Sequence, residues 1–530
     1  MATTTSLRSR RSEVQLHALA GVEREIQLND NSARRKYLRD YSQAFRFYEC
    51  VVTSEELKRD VCAAGTVLIG DYHALPAAQR FAARLLEERC QPGDRPVVLA
   101  LETIFARDQH ILEEWWRREI EEAELRQRIR YDLDWGYDWA PFYELLVTAR
   151  EHAEAIYGLD CMPREDLRKI GARDRHAAHK IAEIRQRHPN AAILVLFGES
   201  HLAPGHLPRQ LHERLPEETV LTILQNVDAL YWRAAGEQRE QVRAVRVNDN
   251  VLCVFNSTPL EKYEHYRLHL SRWGRSEEEG PDLAPTIYNL IQSLLRFLEI
   301  KLYSPKNGTQ PKFLVDMLPE VCSGAAAGRL RRLLARESLS EEQQQTWVQD
   351  VEERGSAYLA RANAFYVHEF NMMYAAEEAA RFLHQACRNL PAQRDSAKPD
   401  GANLFWISVL EHALAYFGSR VIYPARPAVR ELGELSSDVC REIMQTALRL
   451  GGAELEWSAR QLGYRIGSDL YDAYLAGAIV PRRLRRFFLA RLHEPGAAHK
   501  LCLELIAKNP PRKRPAGVKL TKTEGKQQRA

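Results

Sequence analysis

Short apolar runs at residues 66–69, 96–101, 155–159, 191–197 and 219–224 alternate with amphipathic stretches at 76–89, 108–130, 164–188 and 207–215. The runs are rich in β-branched and aliphatic residues and bounded by Gly, Pro or charge, the pattern of strands covered on both faces. Strands alternating with helices at this spacing predict an α/β fold, a mostly parallel, doubly wound sheet with flanking helices and right-handed crossovers. Two further runs, 242–247 and 251–255, flank Asn248-Asp249-Asn250 and predict a hairpin closing the sheet edge.

Beyond residue 280 the period changes. Stretches at 285–302, 313–318, 329–336, 341–388, 403–423, 429–450 and 484–508 carry helical spacing with no strand signal, which predicts an all-α C-terminal domain. The charged, helix-breaking run Ser276-Glu277-Glu278-Glu279-Gly280-Pro281 marks the boundary. The expected layout is an N-terminal helical lead-in (1–50, with helical spacing from Val22 to Phe47), an α/β domain (51–275), a helical domain (283–508) and a disordered basic tail (509–530).

Composition narrows the function. The 530 residues are 45% apolar and 28% charged with a net charge of +3, ordinary for a globular protein. The tail holds seven basic side chains against Glu524, so the body is slightly acidic and nucleic acid is not expected except through the tail. Nine scattered cysteines without a Cys-x-x-Cys fit a reducing compartment. No apolar stretch reaches the roughly 18 residues of a membrane span, and the first residues lack a secretory apolar region. A cytoplasmic location is expected; oligomeric state is left open.

Chemistry concentrates where the strands end. Gly70-Asp71-Tyr72-His73 and Gly198-Glu199-Ser200-His201 repeat one pattern after the first and fourth strands; the second ends in Glu102, the third in Asp160 and the fifth in Asn226. In an open α/β sheet that edge is where ligands bind. Each residue alone has a structural use, as a helix cap for His73 or Asp160, but the set together points to a site. Imidazoles with carboxylates and no thiolate suit Zn, Mn, Fe or Co, with His73, Glu102 and His201 as ligands and Glu199 or Asp71 as general base. Without a metal the same groups could act as an acid–base pair. Arg173 could orient an anionic substrate group, an ion pair with Asp174 or Glu165 being the plainer alternative.

These same residues resemble the ChaN-like domain of the haem-binding-uptake/Tiki superfamily, related to TraB-type proteins and erythromycin esterases, over about residues 60–260. The resemblance rests on Gly70-Asp71-Tyr72-His73, Ala100-Leu101-Glu102 and Gly198-Glu199-Ser200-His201. Trp139 to Arg150 with Tyr143 before Leu145-Leu146, and Arg173-Asp174 before Ala177-Ala178, are similar too. It implies His73, Glu102 and His201 as functional positions, and either a hydrolase, metal-dependent or metal-free, or a carrier of haem or another tetrapyrrole. Asp71 stands where Glu is commoner, and the missing signal or lipobox removes the surface-uptake context. The aromatic run Trp135, Tyr137, Trp139, Phe142 suits a planar ligand, or equally a small aromatic core.

Other candidates are weaker. His368-Glu369, Glu377-Glu378, His384 and Glu411-His412 lack the Glu-x-x-His spacing of di-iron bundles and are expected on solvated faces. Gly-rich phosphate loops and a Gly-x-Ser-x-Gly elbow are absent. The expected function is therefore a small-molecule pocket of hydrolase type, with a haem carrier and a non-catalytic interaction protein as alternatives.

Overall fold

A computed structural model describes residues 2–30, 36–89, 95–161, 170–238, 240–272, 281–302, 314–323, 327–337, 339–388, 400–492 and 494–507. Eight strands form the main sheet: β1 (Cys50–Val51), β2 (Thr66–Asp71), β3 (Val97–Phe105), β4 (Ala155–Asp160), β5 (Ala192–Gly198), β6 (Val220–Gln225), β7 (Ala244–Asn248) and β8 (Val251–Val254). Their order is β1-β7-β8-β6-β2-β5-β3-β4. The run from β8 through β6, β2, β5 and β3 to β4 is parallel, and β7 and β1 add antiparallel at one edge. The hairpin lies where expected, but β1 rather than β7 forms the edge; two residues are too few to register as a strand in sequence.

Alternation along each strand sorts side chains into two layers. Val67, Ile69, Leu99, Leu101, Leu194 and Leu196 face one apolar core with the helices Pro76–Arg89 and Trp139–His152. Leu68, Val98, Ala100, Ile193, Val195 and Phe197 face another with Ile170–Arg187, Leu207–Arg214 and Asp228–Ala234. The sheet is doubly wound. The chain leaves β2 toward β3 and β4, returns to insert β5, then crosses β2 to reach β6, so the switch lies at the β2–β5 pair.

The C-terminal region is helical. Its core also takes Val14, Ala18, Leu19 and Val22 from the N-terminal helix Ala2–Asn29, and Leu260 and Leu268 from the helix Pro259–Arg272. Two features differ from expectation. The stretch read as one helical pattern over 341–388 breaks at Gly355, whose φ of 78° favours glycine. A hairpin, Ser356–Leu359 with Ala364–Val367, follows and pairs with Glu320–Ser323 in a three-stranded sheet. The helix Gly452–Leu475 falls in a stretch to which the sequence pattern assigns no element, and it contains Gly463 and Gly467. They serve close packing: a Cβ on Gly463 would sit 2.5 Å from His412 Cβ, and one on Gly467 2.4 Å from Ala413 O. The tail at 509–530, the start of the helix expected from 164, and most of the 276–281 boundary lie outside the described residues.

Only some of the polar residues of this region lie on solvated faces as expected. Glu377, Glu378, His384 and His412 are buried, whereas His368 and Glu369 are exposed. Arg354 and Arg426 each lie 2.8 Å from Glu377, and Arg381 lies 3.3 Å from Glu378. Burial opposes the charge on Glu377, but Arg354 foremost, then Arg426 and Arg381, hold its carboxyl well below the usual range.

Candidate functional site

Strands β2, β5, β3 and β4 are consecutive neighbours, so their carboxyl ends bring Asp71 and His73, Gly198 and His201, Glu102, and Asp160 to one rim. Among parallel strands roughly 4.8 Å apart, side chains from adjacent ends share a site. The carboxylate from β3 is the hub. Glu102 is almost wholly buried and accepts a hydrogen bond from the Gly198 backbone N–H. Arg173 Nη2 lies 2.5 Å from Glu102 Oε1, and the same guanidinium holds both oxygens of Asp160 at 3.0 and 2.6 Å.

Two imidazoles flank this hub. His73 Nδ1 lies 2.8 Å from Asp71 Oδ2, and its Nε2 lies 3.8 Å from Glu102 Oε2. His201 Nδ1 lies 2.5 Å from Asp174 Oδ1, and its Nε2 lies 3.7 Å from Glu102 Oε1. Each ring therefore has Nδ1 committed to its own carboxylate and Nε2 turned toward Glu102, beyond direct hydrogen-bond length. Gln79 Nε2 donates to the other oxygen of Asp71 at 2.5 Å. His206 Nδ1 lies 3.0 Å from the second oxygen of Asp174.

Gly198 marks the convergence. A Cβ there would stand 2.9 Å from Glu102 Oε2, 3.3 Å from His73 Nε2 and 3.5 Å from His201 Cδ2. Its φ of −49° is open to any residue, so the glycine is required by space rather than by backbone conformation. Burial opposes ionisation of Glu102; Arg173, then His201 and His73, outweigh it and hold the carboxyl down at about 2. An ionised carboxylate thus sits between two imidazoles.

The expected trio of His73, Glu102 and His201 is brought together. Among the described residues no group of three His, Cys, Asp or Glu is arranged to hold a metal ion. A divalent cation on Glu102 would share that carboxylate with the Arg173 guanidinium, already 2.5 Å away.

The remaining expected residues have other partners. Glu199 points to Lys262 Nζ at 3.0 and 3.1 Å, on the helix Pro259–Arg272. Burial raises the Glu199 carboxyl, with Lys262 opposing. Asp71 is spent on His73 and Gln79. Arg173 pairs with Glu102 and Asp160 rather than with Asp174, and Glu165 lies outside the described residues. Asn226 accepts from the Asn256 and Ser257 backbone N–H groups instead of joining the cluster.

The aromatic run divides. Trp135 and Tyr137 lie 5.1 and 5.4 Å from the His73 ring, and Tyr137 stacks on His269 at 4.2 Å. Tyr143 stacks on Trp139 at 5.5 Å and meets Trp115 edge-on, while Tyr131 stacks on Phe142. Those residues are a small core, and Tyr143 belongs to it. Sequence reasoning missed Asp174, Gln79, His206, Lys262 and His269. The first was in view beside Arg173, on the same helix; Lys262 and His269 follow the hairpin with no local motif.

The class of protein defined here is a doubly wound α/β domain with an acid–imidazole cluster at its strand carboxyl ends. Residues 57–191 match the sequence model of the family described as haem-binding uptake, Tiki superfamily, ChaN. That stretch of the chain is similar to the ChaN-like domains of that superfamily. Among solved structures, ChaN of Campylobacter jejuni, described with cofacial haem binding, is 14% identical over 33% of this chain and 86% of its own, with a TM-score of 0.26. The type III effector HopBA1 is 15% identical over 40% of this chain and 96% of its own, with a TM-score of 0.28. No curated protein matches. Among the described residues no helix is long and apolar enough to cross a membrane.

Proposed function

We propose that the rim formed by β2, β5 and β3 is a metal-independent acid–base site that hydrolyses a small ester-like substrate. The observation that carries this is His73, its Nδ1 held 2.8 Å from buried Asp71 and its Nε2 facing the space beside Gly198 and Glu102. Hydrogen bonding at Nδ1 selects the tautomer whose Nε2 is free to accept a proton. His73 takes a proton from water as that water attacks the carbonyl carbon, and returns it to the leaving oxygen. Glu102, kept ionised by Arg173, stabilises the imidazolium formed in between. His201 and Asp174 act as positioning residues for Glu102, and Asp160 for Arg173.

The test uses the full chain with p-nitrophenyl acetate, with and without a chelator. The expected result is turnover indifferent to the chelator that falls at least about 100-fold in His73→Gln, the usual scale for a general base. Unchanged turnover in that variant would overturn the reading.

A second reading, binding of haem or another tetrapyrrole, is favoured by the family description. The ring faces of Trp135, Tyr137 and His269 suit an apolar plane. The imidazole of His73, its Nδ1 held by Asp71, keeps Nε2 free for an axial position, with the Glu102 carboxylate 3.8 Å away as the group that would have to give way. Burial raises the phenols of Tyr72 and Tyr131, which disfavours tyrosinate ligation by either. A Soret band on haem titration that is lost in Tyr137→Ala would select this reading.

A further inference from the structure

The most asymmetric charge in the molecule lies far along the chain from the rim. Residues 481–530 hold fourteen Lys and Arg against three Glu, a net of +11 in a chain whose total is +3, so the other 480 residues are net acidic. The described part of this segment is shaped. The helix Pro481–Phe488, PRRLRRFF, buries Leu484, Phe487 and Phe488 completely and turns four arginines away from that core. With the helix Ala497–Ala507 it bounds a cleft of about 670 Å³. Five cations line the cleft: Arg482, Arg485, Arg486, Arg491 and Lys500. Arg486 pairs with Glu504. Among the described residues no carboxylate pairs with Arg482, Arg485, Arg491 or Lys500, although Glu494 also lines the cleft.

Four unpaired like charges around one concavity repel one another, a cost that folding of the helical core does not require. A bound polyanion removes it. We infer that this cleft binds the phosphodiester backbone of a single-stranded nucleic acid, without sequence preference. Three features favour that occupant. The guanidinium groups suit phosphate oxygens. The basic character continues in sequence through residue 529, which suits a linear polyanion longer than the cleft. Leu484, Phe487 and Phe488 of the first helix are turned into the core and so are not available for insertion into a bilayer, although Val480 before it is exposed. Among the described residues no aromatic side chain lines the cleft, so the cleft offers bases no stacking platform from these residues and the backbone is what it reads.

The experiment is fluorescence anisotropy of labelled oligouridylate and oligothymidylate with the full chain over a salt series. Four phosphate contacts predict an affinity loss of about 50-fold between 50 and 200 mM salt, from a logarithmic slope of about −0.7 per contact. The triple variant Arg482→Glu, Arg485→Glu, Lys500→Glu, checked for native circular dichroism, is expected to bind at least about 10-fold more weakly and to flatten the slope by about 2. A matched variant, Arg512→Glu, Lys513→Glu, Arg514→Glu, separates the cleft from the basic residues that follow it. Loss of binding in the second variant alone would overturn the inference. So would binding to phosphatidylserine vesicles without binding to either oligonucleotide, or no binding at all. Because the variants lie outside the rim, their effect is independent of ester hydrolysis.

Discussion

Asp71 Oδ2 and His73 Nδ1 lie 2.8 Å apart at the end of β2, two residues apart in sequence, with Gln79 holding the opposite carboxylate oxygen. The carboxylate fixes both the orientation and the tautomer of the ring. Asp71→Asn preserves shape but can donate to Nδ1, which would place the ring proton on Nε2 and remove the base. The expected outcome is a loss of about 100-fold or more in kcat on p-nitrophenyl acetate, with an unchanged thermal midpoint. Equal loss of folded protein and activity would assign Asp71 a purely structural role.

Gly198 predicts a steric result. Alanine would bring a methyl group to 2.9 Å from Glu102 Oε2 and 3.3 Å from His73 Nε2, and the Arg173 contact prevents Glu102 from retreating. Overpacking of this kind costs about 1–3 kcal/mol. Gly198→Ala should therefore lower the thermal midpoint and abolish turnover together. Gly205→Ala, where a Cβ meets nothing within 4 Å, is the control expected to change neither.

Much of the sheet and its rim was legible because both depend on local signals. Each buried strand is a continuous apolar run; Asp71 ends its strand, His73 and His201 follow theirs within three residues, and Glu102 lies inside β3, which runs on to Phe105 past the expected end at Leu101. What could not be read was pairing across distance. Asp174 lies 27 residues before its imidazole partner, and Lys262 lies 63 residues beyond Glu199. Arg173, on a helix, looked like a ligand for substrate because its anchors, Glu102 and Asp160, come from two strands distant in sequence. In the helical half, Gly463 and Gly467 allow a close helix approach that no local signal announces, and the hairpin Ser356–Val367 hid inside a stretch of apparent helical spacing while its partner strand, Glu320–Ser323, lay between two others.

The depressed Glu102 carboxyl gives a pH prediction. Burial opposes its charge, but Arg173 and the imidazoles lower it from 4.5 to about 2. A carboxyl lowered by folding contributes stability fully above its unfolded value, and loses it as pH falls through the folded one. The stability advantage of the wild type over Glu102→Gln should therefore be constant from pH 7 down to about 5 and shrink toward pH 2, by about 3 kcal/mol in total. Urea unfolding of both proteins across that range measures it. A difference that stays flat to the lowest accessible pH would show that Arg173 does not hold Glu102 ionised.

Glu199 and Lys262 join the sheet to the helix Pro259–Arg272, whose Leu260 and Leu268 belong to the C-terminal core. Burial lowers the affinity of Lys262 for its proton, but Glu199 outweighs this and raises it. Removing one partner strands a buried charge, at a cost of about 3–5 kcal/mol, whereas removing both leaves none. Lys262→Met should thus destabilise the chain strongly, and Glu199→Gln combined with Lys262→Met should recover much of that loss. Glu199→Gln alone tests the residue's other expected role as general base. With its carboxylate committed to Lys262 rather than to the space beside Gly198, the variant should keep turnover within about threefold of wild type at temperatures where it remains folded, the scale of context variation in such contributions. A loss of about 100-fold with folding intact would return Glu199 to the chemistry and displace His73 as the proton acceptor.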